Sequence, residues 1–247
     1  MASQQIQRMT ELSASTVEFG NLRKNKHGGK VIYISGPNAS KLRRQFPKMR
    51  APFALSSFTD KDKGTASYSI DLAFDDDPEV NQTRKILEEI DEMVVNHVAK
   101  NSKEFLGKVM SAQLIKDAML YKPLVRPPSK EGFAHTFHIG LVRDGDKFQA
   151  EAYNMKRKPI QFEEIEKNQK LVCIADISSI YFINGKFGVS VRLQQCLAFP
   201  TEKLQPFAFV GIDDEVAEAS EEEEETEEAS EEEGEEVDEG NSDQESV

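Results

Sequence analysis

A long apolar hairpin in the second half of the chain constrains the fold most. Two runs, 170–183 and 186–199, flank the dipeptide Asn184-Gly185. Asn-Gly is a preferred pair for a tight β-turn, because both residues tolerate a positive φ. In the second run, apolar and polar side chains alternate: Phe187, Val189, Val191 and Leu193 against Lys186, Ser190 and Arg192. This period of two predicts strands with one buried face, joined as a hairpin.

Other segments predict further strands. Residues 16–35 contain two apolar runs around a basic turn at His27-Gly28-Gly29, which predicts a second hairpin. Apolar or alternating runs predict strands at 51–58, 66–74, 133–142 and 148–155. The last two flank a polar turn and predict a third hairpin. The chain is therefore expected to be mostly β.

A helical segment interrupts these strands. Asp77 provides an N-cap carboxylate and Pro78 stands at the first helical position, so together they predict a helix start. Apolar side chains then recur on one helical face, at Val80, Leu87, Ile90, Val94 and Val98. Asp75, Asp76 and Asp77 together resemble a set of metal ligands, but helix capping is the stronger interpretation.

The order of elements predicts the architecture. A second, shorter helix at about 103–119 completes a helical insertion of about 77–119, and four more strands follow. Strands on both sides of an inserted helix suit a five-stranded Greek-key barrel. An OB-fold crossed by a long helix fits this order best.

Charge divides the chain into two parts. Residues 213–247 contain 20 acids and no Lys or Arg, and removing these from the total of 44 acids leaves 24 against 31 bases. Residues 1–212 thus carry a net charge of +7, although the whole chain has −13. The acidic segment has no aromatic residue and cannot bury enough apolar surface to order. We predict a folded domain at 1–212 and a disordered acidic tail at 213–247.

The folded part is most basic near its start. No acid lies between Glu18 and Asp60, a stretch that contains nine bases. These are Arg23, Lys24, Lys26, Lys30, Lys41, Arg43, Arg44, Lys48 and Arg50. Tyr33, Phe46 and Phe53 are interleaved with them. Cations beside aromatic rings are typical of sites for single-stranded nucleic acid. A solvated surface over core aromatics gives the same pattern and stays open at this point.

The sequence contains no enzyme signature. A Walker loop, a GxSxG turn and a dinucleotide fingerprint are all missing, so we expect a binding protein without catalytic residues, cofactor or metal. His135 and His138 are three apart in a strand and would point to opposite faces, which argues against a shared metal. Cys173 and Cys196 lack metal-site spacing and predict buried, reduced thiols of an intracellular protein.

Membrane and secretion signals are not found either. No run approaches 18 apolar residues, and the first 15 residues are polar. We therefore expect neither a membrane span nor a secretory leader.

The segments taken in order resemble a known family. The string ASYSIDLAFDDDPEVNQTRKILEEI, the tripeptide YKP, the strand pair SSIYFINGKFGVSVRLQQCLAF and the acidic tail are similar to the single-stranded DNA-binding proteins of T-seven-type phages and their homologues in large nucleo-cytoplasmic DNA viruses. The resemblance covers roughly 55–200. It implies a helix-crossed OB-fold and sequence-independent binding of single-stranded DNA in replication or recombination. It also implies a homodimer at the viral replication site, in the host cytoplasm or nucleus.

The resemblance implies particular DNA contacts. A stacking tyrosine belongs in the strand before the last hairpin, where Tyr181 stands. A basic residue belongs before strand 66–74, where Lys61 or Lys63 would substitute. Lysines belong on the strand after the helical insertion, where this sequence offers His135 or His138 instead. Tyr33 and Tyr153 are weaker stacking candidates. The charge pattern adds candidate phosphate contacts at Arg43, Arg44, Lys48, Arg50, Lys156, Arg157 and Lys158.

The tail admits more than one role. The resemblance implies contacts with replication partners such as DNA polymerase and helicase/primase, through Asp213, Asp214, Glu221, Glu222, Glu223, Glu224 and Glu225. A tethered polyanion would also compete with DNA for a basic surface. Two other classes stay open: a chaperone that binds basic proteins through the tail, and a virion structural protein with an incidental tail.

Overall fold

The computed structural model describes residues 6–25, 28–59, 64, 66–128, 130–201, 203 and 208–210. Residues 1–201 form one compact unit, and a second unit begins at 202. The predicted acidic tail lies outside the described residues.

The described part of the chain is mostly β. Its strands are β1 (Gln7–Arg8), β2 (Glu18–Lys24), β3 (Lys30–Ser35), β4 (Arg43–Gln45), β5 (Met49–Arg50), β6 (Ser56–Thr59), β7 (Ala66–Ala73), β8 (Tyr121–Lys122), β9 (Val125–Arg126), β10 (Thr136–Leu141), β11 (Arg143–Asp144), β12 (Lys147–Phe148), β13 (Glu151–Asn154), β14 (Pro159–Ile160), β15 (Lys170–Ile183) and β16 (Lys186–Ala198). Its α-helices are α1 (Pro78–Lys100), α2 (Ser102–Leu106) and α3 (Ala112–Asp117).

Five strands close into a ring in the order β15, β5, β7, β10, β16 and back to β15. The long β15–β16 pair is the apolar hairpin that the sequence predicts. Asn184 and Gly185 form its turn with φ values of 50° and 74°, as the Asn-Gly pair requires. β7 and β10 pair antiparallel, and β10 meets β16 in parallel at Gly140 and Arg192. The predicted mostly-β class is confirmed.

Two of the three predicted hairpins are confirmed and one is wrong. β2 and β3 pair as expected and extend the ring through β15. The segments at 133–142 and 148–155, however, do not pair with each other. Only the short β11–β12 pair forms at their turn, while β10 and β13 each pair with β16. The predicted strand at 51–58 shrinks to β6, because residues 52–55 bend.

Helix α1 begins as predicted. The Asp77 carboxylate accepts hydrogen bonds from the backbone N–H groups of Glu79 and Val80 at 2.9 and 3.2 Å. All five apolar residues of the predicted stripe are buried. The predicted second helix is instead two short helices, α2 and α3. Gly107 follows α2 with a φ of 77°, a left-handed conformation that ends a helix.

The core joins the strands to α1. Phe46 of the basic region stacks on Phe137 of β10 at 4.8 Å between ring centroids, which makes Phe46 a core ring. His97 of α1 packs against Phe19 at 4.7 Å, and burial lowers its pKa. No α-helix within the described ranges is long and apolar enough to cross a membrane.

The two cysteines are buried and unlinked, as predicted. They are not isolated from each other. Cys173 lies directly opposite Cys196 in the β15–β16 register, with 3.9 Å between the sulfur atoms. The sequence does not show this proximity, because it depends on the register of the hairpin.

Candidate nucleic-acid interface

Five adjacent strands, β3, β15, β16, β10 and β7, present one continuous outward surface, here called the outer face. Ile32, Ile180, Phe187, Phe137 and Ile70 of these strands are fully buried and point inward. Successive side chains on a strand alternate, so their neighbours point outward. The outer face consists of Tyr33, Ser179, Tyr181, Gly188, Ser190, Arg192, His138, Gly140, Asp71 and Ser69.

Tyr181 lies over the backbone of the neighbouring strand. Its register partner is Gly188, and a Cβ atom there would come within 2.7 Å of the Tyr181 hydroxyl and 2.9 Å of the ring carbon that bears it. Only glycine leaves room for this ring. Tyr181 is half-buried rather than part of the core, and desolvation raises its pKa while nearby Arg126 lowers it. The ring is held in a fixed position on the outer face.

Two cations lie beside Tyr181. Lys122 of β8 pairs with Gly188, and Arg126 of β9 pairs with Thr136 at the start of β10. Burial lowers the pKa of both side chains, and Arg126 further lowers that of Lys122. Arg126 Nε is buried, and no group among the described residues accepts a hydrogen bond from it. The Arg126 side chain as a whole is only half-buried, and a partly desolvated cation favours binding of an anion.

An acid and a histidine also occupy the outer face. His138 Nδ1 lies 2.7 Å from Asp71 Oδ1, across the β7–β10 pair. The Asp71 carboxylate partly opposes the lowering of the Lys122 and Arg126 pKa values by burial. His138 therefore lies on the outer face, on the strand that follows the helical insertion. Its Nδ1 atom is occupied by Asp71, so only the rest of the ring is available to a ligand.

Asp91 of α1 fixes the segment that carries the two cations. Its carboxylate accepts hydrogen bonds from the Tyr121 hydroxyl at 2.6 Å and from the N–H groups of Leu124 and Val125 at 2.9 and 3.2 Å. Burial raises the pKa of Asp91 to about 6, against the opposing effect of these bonds. The Tyr121 ring packs on Phe187 of β16. β8 and β9 are thereby attached to both the helix and the ring of strands.

Residues 66–210 match the model of a family of unknown function, DUF5871. The chain belongs to that family. The match covers all of the central cluster, Asp71, Asp91, Lys122, Arg126, His138, Tyr181 and Gly188, whereas Tyr33 precedes it. No curated protein matches the sequence.

Solved structures from bacteriophage Enc34 are similar to this DUF5871 chain at low identity. The first is a single-stranded DNA-binding protein in complex with single-stranded DNA, with 15% identity, a TM-score of 0.41, and coverage of 77% of this chain and 95% of that one. A C-terminal truncation of that protein has 12% identity and a TM-score of 0.44, and the match covers 78% of this chain and 100% of that one. A third structure of the phage protein has 13% identity and a TM-score of 0.41, with coverage of 81% of this chain and 99% of that one.

Four of the nine predicted basic contacts of the DUF5871 chain are engaged within the fold, at Arg43, Arg44, Lys48 and Arg50. Arg43 forms two hydrogen bonds with Asp176, at 2.6 and 2.9 Å, and Arg50 forms two with Asp75, at 2.9 and 2.7 Å. Lys48 Nζ lies 4.5 Å from the centroid of the Phe199 ring. Asp75, the supposed metal ligand, is thus the partner of an arginine.

Arg44 does not lie on the surface, contrary to its prediction as a phosphate contact. Its side chain is only 7% exposed and donates to the Arg43 carbonyl, and burial lowers its pKa. A guanidinium in that position does not reach a phosphate on the surface. Sequence reasoning misplaces it because alternation along β4 decides which of two adjacent arginines points inward.

The other predicted tyrosines separate. Tyr33 joins the outer face, since it pairs with Ser179 and is 53% exposed. Beside it lies a groove of about 400 Å³, which Lys41 and Arg192 also line. Tyr153 lies elsewhere: it pairs with Leu197, near the far end of β16, and donates a hydrogen bond to Glu151. Nine residues of strand separate Leu197 from Gly188, which corresponds to roughly 30 Å.

The basic turn that follows Tyr153 lies at that same distant end. Lys156, Arg157 and Lys158 are all exposed between β13 and β14. The Asn154 side chain holds the turn by accepting hydrogen bonds from the N–H groups of Lys156 and Lys158. The structure does not bring these three cations together with Tyr181. Lys61 and Lys63, and all seven predicted tail contacts, lie outside the described residues.

Sequence reasoning missed Lys122, Arg126 and Asp91. Lys122 belongs to the tripeptide YKP, and Arg126 lies in a proline-rich segment that sequence patterns assign to a connector. Asp91 stands among surface acids of α1. The one available signal was YKP itself, which marks β8 within the resemblance.

Proposed function

We propose that this protein binds single-stranded DNA without sequence preference across the outer face, and that it has no enzymatic role. One observation carries the proposal: a half-buried Tyr181 ring, held over Gly188, lies beside two partly desolvated cations, one with an unpaired donor. A ring with an accessible face stacks on a nucleobase, and the adjacent cations neutralise the phosphates of the same DNA strand.

The geometry favours single strands over duplexes. Bases in a duplex are stacked on each other and offer no free face to Tyr181, whereas unpaired bases do. The cations on and beside the outer face are Arg192, Lys122 and Arg126, and their charges suit the DNA backbone rather than base edges. Binding would therefore depend on strandedness and salt but little on sequence.

Several finer assignments belong to the same proposal. The five-strand ring with α1 packed against its core is interpreted as an OB-fold crossed by a helix. The protein would act as a homodimer in viral DNA replication or recombination, at the replication site within the host cell. The acidic tail would compete with DNA for the basic surface and, once displaced, recruit basic regions of a polymerase or helicase.

A competition titration tests the proposal. A labelled poly-dT oligonucleotide is bound to the full chain, then displaced with unlabelled single-stranded or duplex DNA of equal length, at several salt concentrations. We expect single strands to compete much better than duplexes, and affinity to fall linearly on a log–log plot against salt. Equal competition by both forms would refute stacking as the basis of binding.

A further inference from the structure

A second aromatic site adjoins the outer face. A groove of about 410 Å³ is lined by the rings of Phe53 and Phe133, by Pro127 and Thr136, and by the cations Arg126 and Lys130. We call it the Phe53–Phe133 groove. It lies between the bend that precedes β6 and the segment that joins β9 to β10.

Both rings are exposed to solvent. Phe53 is 52% and Phe133 is 68% exposed, so neither contributes mainly to the core. Two exposed phenylalanines lining one groove form an apolar surface of the kind that marks a binding site. The fold does not need these two rings, because the apolar residues that stabilise α1 and the ring of strands pack together without them.

The charged side chains that line this groove are all basic. Arg126, Lys130 and Arg50 line the groove, and among the described lining residues none is acidic. Arg50 is already bound to Asp75, which leaves Arg126 and Lys130 to face a ligand. Aromatic rings between cations suit a ligand that alternates flat apolar groups with negative charges. A single-stranded nucleic acid has that repeat.

The groove is continuous with the outer face. Arg126 lines it and also lies near enough to Tyr181 to affect the pKa of that hydroxyl. Thr136 lines it too and precedes His138 by two residues on β10, so both side chains point the same way. A strand that stacks on Tyr181 would therefore pass Arg126 and enter the groove.

We propose that the Phe53–Phe133 groove is a second base-stacking subsite of the same DNA strand. It would take an unpaired nucleobase against the two rings, while Lys130 and Arg126 contact the flanking phosphates. This inference rests on the proposed function, since it needs a strand bound at Tyr181. It defines the path of the bound DNA over the surface, from the β15–β16 pair toward the β9–β10 segment.

Photocrosslinking of the full chain tests the contact without any substitution. Oligo-dT with 5-iodouracil at single positions is irradiated in the complex, and adducts are located by mass spectrometry. We expect adducts at Phe133 or Phe53 from one set of positions and at Tyr181 from another. Adducts at Tyr181 alone would overturn the second subsite and leave the proposed function intact. Adducts at none of the three residues would contradict both.

Substitutions measure the contribution of the rings. Phe53→Ala with Phe133→Ala should weaken binding of long single strands by between about fivefold and a hundredfold, the usual range for loss of a stacked base. Oligonucleotides short enough to occupy Tyr181 alone should bind unchanged. The matched control is Leu114→Ala on α3, which removes an apolar side chain that is 49% exposed away from the groove.

Replacing the ring type separates stacking from a general apolar contact. Phe133→Trp should retain wild-type affinity, and Phe133→Leu should lose it, because only the first keeps a π-face. If the leucine variant binds as the wild type does, or if the double alanine variant binds long strands normally, the groove is not a base subsite. Loss of a protein partner with DNA binding unchanged would assign it to protein docking instead. Tyr181→Ala, measured in parallel, shows whether the proposed function itself holds.

Discussion

The Tyr181 ring occupies the space that a side chain at position 188 would take. A Cβ atom on Gly188 would approach the Tyr181 hydroxyl oxygen to 2.7 Å, well inside van der Waals contact. The two residues are register partners in the longest strand pair of the fold. Glycine here fixes the orientation of an aromatic ring on the surface, which a core role would not require.

Gly188→Ala should therefore weaken DNA binding without contacting DNA itself. The added methyl group displaces the Tyr181 ring, so we expect a loss of up to about 1–3 kcal/mol, the contribution of a stacked base. Fluorescence anisotropy with oligo-dT measures it. Gly20→Ala on β2 is the matched control, because its Cβ would meet only an ordinary contact at 3.5 Å. Unchanged affinity of the Gly188 variant would show that the position of the ring does not matter.

Arg126→Met should change the salt dependence of binding. The substitution keeps much of the side-chain volume and removes the charge and the unpaired Nε donor. Loss of one phosphate contact lowers the slope of log affinity against log salt by about 0.7 for single strands.

Lys158→Met provides the comparison for that slope. Its exposed side chain lies at the end of the molecule remote from Tyr181, so a smaller change is expected. A larger effect at Lys158 than at Arg126 would place the DNA on the β13–β14 turn instead.

Asp91 should make stability depend on pH. Its pKa is about 6 in the folded protein and 3.8 ordinarily, because burial disfavours the carboxylate. A raised folded pKa means that the contribution to stability is complete below about pH 4 and is lost as pH rises to about 6. The difference corresponds to about 3 kcal/mol.

Urea unfolding of the wild type and Asp91→Asn at pH 4 to 7 measures this effect. We expect the wild-type free energy of unfolding, minus that of the variant, to fall as pH rises through this window. The same difference for Asp117→Asn, an exposed residue of α3, should stay flat. A flat difference for Asp91 would mean that its carboxylate is not desolvated as the structure indicates.

Deleting 213–247 should strengthen binding to single-stranded DNA, most of all at low salt. The segment holds 20 acids against a body of net charge +7, so its removal takes away a tethered competitor. A tail of equal length with Gln in place of every acid should behave like the deletion. Unchanged or weaker binding would show that the tail does not compete with DNA.

Local sequence signals predicted the elements that local chemistry decides. The N-cap at Asp77, the turn at Asn184-Gly185 and the buried stripe from Val80 to Val98 all depend on neighbours in the chain. The strand context of Tyr181 also predicted its place on β15, whereas its contact with DNA stays a prediction from the resemblance. The failed helix at 103–119 is also local in origin, since Gly107 adopts a left-handed φ that apolar periodicity does not reveal.

The rest depended on partners distant in sequence. Arg43 looked free because its partner Asp176 is 133 residues away, and Arg50 likewise because Asp75 lies 25 residues away, between β7 and α1. The position of Arg126 depends on α1, because Asp91 holds the segment that carries this arginine. Composition showed that the domain is basic, but ring closure determined which cations are free.

Tyr181→Ala is the decisive test of whether the outer face binds single-stranded DNA by base stacking. Anisotropy titrations with oligo-dT compare the wild type with Tyr181→Ala, Tyr181→Trp and the matched control Tyr153→Ala, whose ring lies at the distant end of β16. We expect Tyr181→Ala to lose about 1–3 kcal/mol of binding free energy. The tryptophan variant should bind almost normally, and Tyr153→Ala should change affinity little. Wild-type affinity of Tyr181→Ala, in a protein that unfolds at the wild-type temperature, would contradict base stacking at Tyr181.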